Sequence, residues 1–165
     1  MKTQDTTPYY PSKTYRISPF YYKLFYSILS IHKRDKLLNY FFKDHVEFKD
    51  GLDLPIYDKN ELITMFIEQI YPFYNSKKLP THLFFDNRLK DIIKIYNKLD
   101  DENIRVPFNV RISPSTINQI SNLSKINSMS TIGEVIEMAI TNYICNCPDS
   151  YYKLVKKVFE IENKE

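Results

Sequence analysis

Glycine is almost missing from this chain, at 2 of 165 residues, and tryptophan is absent. So few glycines leave no room for a Gly-rich phosphate loop. Cysteine is confined to Cys145 and Cys147, in a Cys-Asn-Cys spacing. Two thiols do not complete a tetrahedral zinc site, and a bridge between such close neighbours would be strained. They read as two reduced thiols at the end of a helix. The three histidines, His32, His45 and His82, are spread out without metal-ligand spacing. There is no His-Glu metal motif and no Gly-x-Ser-x-Gly elbow. No enzyme activity, metal or cofactor is therefore expected. No apolar run approaches the ~18 residues of a membrane span, and the stretch Phe20 to Ile31 is interrupted by Lys23 and followed by no small-residue cleavage pattern. A cytoplasmic chain is expected, or one in the host cell if it is viral. The net charge of +3 is too mild to announce nucleic acid by itself.

What the chain does have is aromatic and aliphatic content: 14 Tyr, 11 Phe and 43% hydrophobic residues overall. That suffices for a real core. The Tyr, Ile, Lys and Asn bias fits an AT-rich coding source such as a virus or plasmid. Residues 1–17 carry Pro8 and Pro11 and read as a flexible arm or an extended segment. Ser18-Pro19 forms a cap-and-proline start for a helix carrying Phe20, Leu24, Phe25, Ile28 and Ile31. Leu37, Leu38, Phe41 and Phe42 suggest a second helix. Asp58 and Glu61 have capping-box spacing before Leu62, Ile63, Phe66, Ile67 and Ile70. Pro72 breaks that pattern, and Asp86 caps a further helix carrying Leu89, Ile92, Ile93, Tyr96 and Leu99. The acidic stretch Asp100 to Asn103 marks a domain boundary, so residues 18–103 form a helical domain of open function. No internal repeat is apparent.

Beyond that boundary the pattern changes. Phe108, Val110 and Ile112 alternate with Pro107, Asn109 and Arg111, the period of a strand with one apolar face. Ser113-Pro114 then starts a helix with Ile117, Ile120 and Leu123 on one stripe. Asn127-Ser128 stops it. Thr131 and Glu134 have capping-box spacing before a second helix with Ile132, Val135, Ile136, Ala139, Ile140 and Tyr143. A last helix follows Pro148, with Lys156 and Lys157 on its polar side. One strand and two helices, about forty residues, cannot enclose a core alone.

Residues 104–147 resemble the ribbon-helix-helix DNA-binding domain of the Arc, methionine-repressor and CopG type. The likeness rests on Phe108 to Ile112, on Ile117, Ile120 and Leu123, and on Thr131 to Ile136 with Ala139-Ile140. It implies a homodimer whose paired strands enter the major groove. Its buried interface would hold Phe108, Val110 and Ile112, then Ile120 and Leu123, then Val135, Ile136, Ala139 and Ile140. Asn109, Arg111 and Arg105 would read bases. Thr131, Ile132 and Gly133, at a helix N-terminus, would hold a phosphate, with Gly133 leaving the approach open. Lys156 and Lys157 would add phosphate contacts.

The expectation is thus a mostly α protein: a helical domain, a ribbon-helix-helix module that dimerises, and a C-terminal helix at 148–165. Its function would be that of a sequence-specific, homodimeric transcriptional regulator bound to double-stranded DNA. Pro107 stands where the family has a polar base-reading side chain, and cations near the ribbon are sparse. These two features favour an alternative. In it the module only dimerises, and the N-terminal domain binds a protein partner, as in an antitoxin, a partition or relaxosome accessory, or a viral inhibitor.

Overall fold

Strands β1 (Lys13–Ile17) and β2 (Val106–Val110) pair antiparallel into a two-stranded ribbon. Thr14 lies opposite Asn109, Tyr15 opposite Phe108, and Arg16 opposite Pro107. The computed structural model describes residues 9–33, 55–79, 86–98, 103–128 and 131–163. The suggested helix around Leu37, Leu38, Phe41 and Phe42, the residues His45, His82 and Leu99, and the joint at 100–102 lie outside the described residues.

This ribbon overturns the expected C-terminal ribbon-helix-helix module. The strand at Val106–Val110 does pair, but with a strand of its own chain. β1 sits in the segment that reads as a flexible arm or an extended segment. The physical reason is simple. The C-terminal apolar faces do need a partner, and the N-terminal part of the same chain supplies it. Phe108, Val110, Ile112, Ile120, Leu123, Val135, Ile136, Ala139 and Ile140 are all buried within one copy. They form an intrachain core and not a dimer interface.

Among the described residues the rest is helical: α1 (Pro19–Lys33), α2 (Lys59–Tyr74), α3 (Asn87–Tyr96), α4 (Pro114–Ile126), α5 (Gly133–Asn146) and α6 (Asp149–Glu162). Their starts follow local chemistry. Asp58 and Glu61 form a reciprocal capping box on α2. The Asp86 side chain accepts from the Arg88 N–H at the start of α3, and Ser113 accepts from the Thr116 N–H with Pro114 behind it. α4 stops at Asn127, whose side chain also accepts the Leu79 N–H. Pro72 does not end α2, which continues to Tyr74. The capping box expected at Thr131 does not form: α5 starts from Ile132 with no side-chain cap.

α5 runs through the middle and is buried nearly all round. It packs on α2, α3, α4 and β1, while α6 packs on α1 and α3. One hydrophobic core extends from Tyr15 and Ile17 to Val158 and Phe159, across the expected boundary at 100–103. Rings of Phe25, Phe66 and Phe108 meet edge to face inside it, with centroids 4.9 and 6.0 Å apart. At the far end of α5, Arg88 donates to the carbonyls of Ile144 and Cys147 and pairs with Asp149. One guanidinium thereby satisfies helix-end carbonyls and anchors the start of α6.

Burial holds several acids in their neutral form. It pushes the Tyr15 and Tyr152 phenols up to about 12, the Cys147 thiol up to about 11 and the Cys145 thiol up to about 12. The unfolded chain ionises these groups at lower pH than the folded one, so folding stability is full below about pH 9 and falls as pH rises toward 12. Urea unfolding at pH 8 and pH 11 is expected to show a clearly lower midpoint at pH 11. Equal midpoints would mean that these groups are solvated.

Candidate nucleic-acid interface

The ribbon divides its residues between two faces. Tyr15, Ile17, Phe108 and Val110 point into the core. Thr14, Arg16, Pro107, Asn109 and Arg111 are exposed on the outer face. Alternation along a strand produces this division, since successive side chains leave the pleat on opposite sides.

Two of the base-reading candidates therefore sit together. Asn109 is at the centre of the exposed face, where its Oδ1 accepts from the Thr14 hydroxyl at 2.6 Å. That bond orients the amide. Nδ2 is left to donate, and Oδ1 keeps a second lone pair, the combination that pairs with an adenine edge. Arg111 donates through Nη1 to the Tyr10 carbonyl at 2.9 Å, and its guanidinium lies 4.7 Å from the centre of the Tyr9 ring. Among the described residues its guanidinium makes no other hydrogen bond, which leaves N–H groups in a fork that suits guanine.

Arg105 is placed elsewhere. Its Nη1 donates to the buried Glu137 carboxylate at 2.6 Å, and the same carboxylate oxygen accepts the Ser18 N–H at 2.7 Å. This pair ties the end of β1 to α5 and to the start of β2. Arg105 is thus tied into a partly buried ion pair and does not join the row on the outer face.

Gly133 is also explained by packing. It is buried, and a Cβ built on it would lie 1.8 Å from the Arg16 carbonyl oxygen. The glycine lets α5 touch the ribbon backbone, a different reason from an open path to phosphate. Ile132 is partly exposed beside it, and the Thr131 hydroxyl is buried without a hydrogen-bond partner among the described residues. Lys156 lies 4.0 Å from Asp91 on α3, so Lys156 and Lys157 belong to the α6 side of the molecule, packed on α1 and α3.

Searches of protein-family models, of curated proteins and of solved structures returned no match.

The geometry of the ribbon adds Thr14 and Arg16 to the outer face; in the sequence Arg16 and Lys13 stand out only as cations of a basic, tyrosine-rich arm that could touch nucleic acid or a partner, and Thr14 does not stand out at all. A signal for them is present in the sequence. Arg16-Ile17-Ser18-Pro19 recurs as Arg111-Ile112-Ser113-Pro114. The chain does contain an internal repeat, one strand-Ser-Pro-helix unit in each half. Arg16 adds to the outer face a cation that the C-terminal segment lacks, whereas Lys13 falls on the other side of the strand with its Nζ 6.0 Å from the centre of the Tyr15 ring.

No helix of the described residues is long and apolar enough to cross a membrane, and no group of three or more His, Cys, Asp or Glu is placed to hold a metal ion there.

Proposed function

We propose that this protein binds double-stranded DNA through the exposed face of its intrachain ribbon, as a sequence-specific regulator occupying an operator would. The observation that carries the reading is the row Thr14, Arg16, Asn109 and Arg111 on one outer face of a two-stranded antiparallel ribbon. A ribbon of this kind fits the major groove. Arginine and asparagine are the side chains that read guanine and adenine edges bidentately there. Binding would be reversible and would involve no bond-making chemistry. The ribbon is complete in one chain, so the reading does not require the homodimer expected from the C-terminal strand alone.

Selection of purified protein against a random duplex pool, at two salt concentrations, tests this. An enriched motif whose binding weakens steeply with salt is expected. Arg16→Ala and Asn109→Ala should each weaken binding to that motif by about 1–3 kcal/mol, with the thermal transition unchanged because both residues are exposed. Wild-type affinity in both variants would remove the ribbon face from the interface. No enrichment at either salt would turn attention to a protein partner.

A further inference from the structure

We infer that one copy of this chain reads a non-palindromic duplex site, with Arg16 and Arg111 addressing opposite ends of it. The inference rests on the reading of the ribbon as a DNA-binding face and deepens it.

The two repeats are related by a local two-fold axis. Thr14 and Asn109 are 95 residues apart and face each other in the ribbon. Arg16 and Arg111 have the same separation, as do Ser18 and Ser113. In an antiparallel pair, only a residue facing its own repeat equivalent can lie on such an axis. The Thr14–Asn109 pair meets that condition, and the pairs Tyr15–Phe108 and Lys13–Val110 exchange across it. Each end of the ribbon also meets the first turn of a helix. The first turn of α5, at Gly133, lies against the Arg16 backbone. The first turn of α2 holds the Arg111 backbone, with the Asn60 side chain accepting the Arg111 N–H at 2.8 Å. One chain thus builds what two identical copies build in a symmetric ribbon dimer.

Two identical strands would present the same residues to both halves of a site, and their target would mirror that symmetry. Here the equivalents have diverged. Thr14 corresponds to Asn109 and Ser12 to Pro107. The two arginines are the same residue in different settings. Arg111 is held by the Tyr10 carbonyl over the Tyr9 ring. Arg16 faces Pro107 across the ribbon, and proline gives it neither a ring stack nor an N–H. The flanks differ too: α2 is closed by the Asp58–Glu61 capping box, whereas α5 has no side-chain cap. The apolar face of the ribbon is already buried inside the chain, so it is not available to a second copy.

The test uses the full chain and its own selected duplex. Selection is repeated with Arg16→Ala and Arg111→Ala, and the stoichiometry of the wild-type complex is measured by native mass spectrometry. The expected result is a motif without dyad symmetry, bound one to one. Arg16→Ala should lose about tenfold or more of its base preference at one end only, and Arg111→Ala at the other. A palindromic motif bound by two copies, with either variant relaxing both ends equally, would overturn the inference and leave DNA binding standing. Absence of any salt-dependent duplex binding would overturn the underlying reading, and this inference with it.

Discussion

Deletion of residues 1–17 is expected to abolish cooperative folding of the remaining chain. The deletion removes Tyr15 and Ile17, which are buried to 1% and 0% exposure. Burial of two such side chains is worth roughly 3–6 kcal/mol together. The loss does not end there. β2 would lose its only strand partner among the described residues, leaving the ladder groups of Val106–Val110 unpaired beside a core. Phe108 and Val110 would lose the neighbours that cover them, and Glu137 would face a displaced Ser18 N–H. Against a typical domain stability of about 5–15 kcal/mol, these terms remove most or all of the margin. Urea unfolding followed by circular dichroism distinguishes the outcomes. A broad, weak transition or none is expected. A truncated chain with a sharp transition near that of the full protein would restore the segment to the status of an arm.

That segment also shows where local patterns stop being informative. Caps are local chemistry, a side chain bonding an N–H two or three residues on. Ser113-Pro114, Asp58 with Glu61, and Asp86 were accordingly legible from their neighbours, and the structure has all three. The alternation of Phe108 and Val110 was legible as a strand for the same reason. β1 is five residues long with only Tyr15 and Ile17 pointing inward, too few for period two to stand out between prolines and a cap. Its identity as a strand depends on a partner 95 residues away at Asn109, and pairing at that distance leaves no trace in local periodicity. Only the repeated Arg-Ile-Ser-Pro carries it.

The same nonlocality divides the candidate site. Asn109 and Arg111 could be named because their strand is readable by itself. Thr14 could not, and Arg16 only as one cation of a basic, tyrosine-rich arm, because a shared outer face exists only when β1 lies beside β2. The pairing of Arg105 is not legible either, because a cation near a strand says nothing of a carboxylate 32 residues later. Glu137 sits on a mostly apolar helix, and only the fold shows it as the acceptor for both Arg105 and the Ser18 N–H. The residues expected in a dimer core are buried, and it is their own chain that buries them. Hydrophobic pattern tells which face must be covered, and the covering element is decided by the whole chain.

Gly133→Ala should destabilise the protein by about 3 kcal/mol, the upper end of the cost of overpacking a core. The sign is what makes the experiment decisive. Helix propensity alone predicts the reverse, since alanine is better than glycine inside a helix by about 1 kcal/mol. Gly133 has no positive φ that would favour glycine for conformational reasons. Its neighbour decides the matter: the new Cβ would lie 1.8 Å from the Arg16 carbonyl oxygen and 2.9 Å from its carbonyl carbon. Both are main-chain atoms of β1, so no rotamer change relieves the clash. α5 would have to retreat, and Val135, Ile136, Ala139 and Ile140 hold it on the core side. Any retreat opens space under the ribbon while moving Arg16 on its outer face. Stability and duplex affinity should therefore fall together in Gly133→Ala, and Gly133→Val should leave little folded protein. If Gly133→Ala instead kept full stability and lost only DNA affinity, the glycine would be serving the approach of a phosphate to α5. If the variant became more stable, α5 would not rest on β1 at all, and the two halves of the ribbon would lack the helix support on which their common outer face depends.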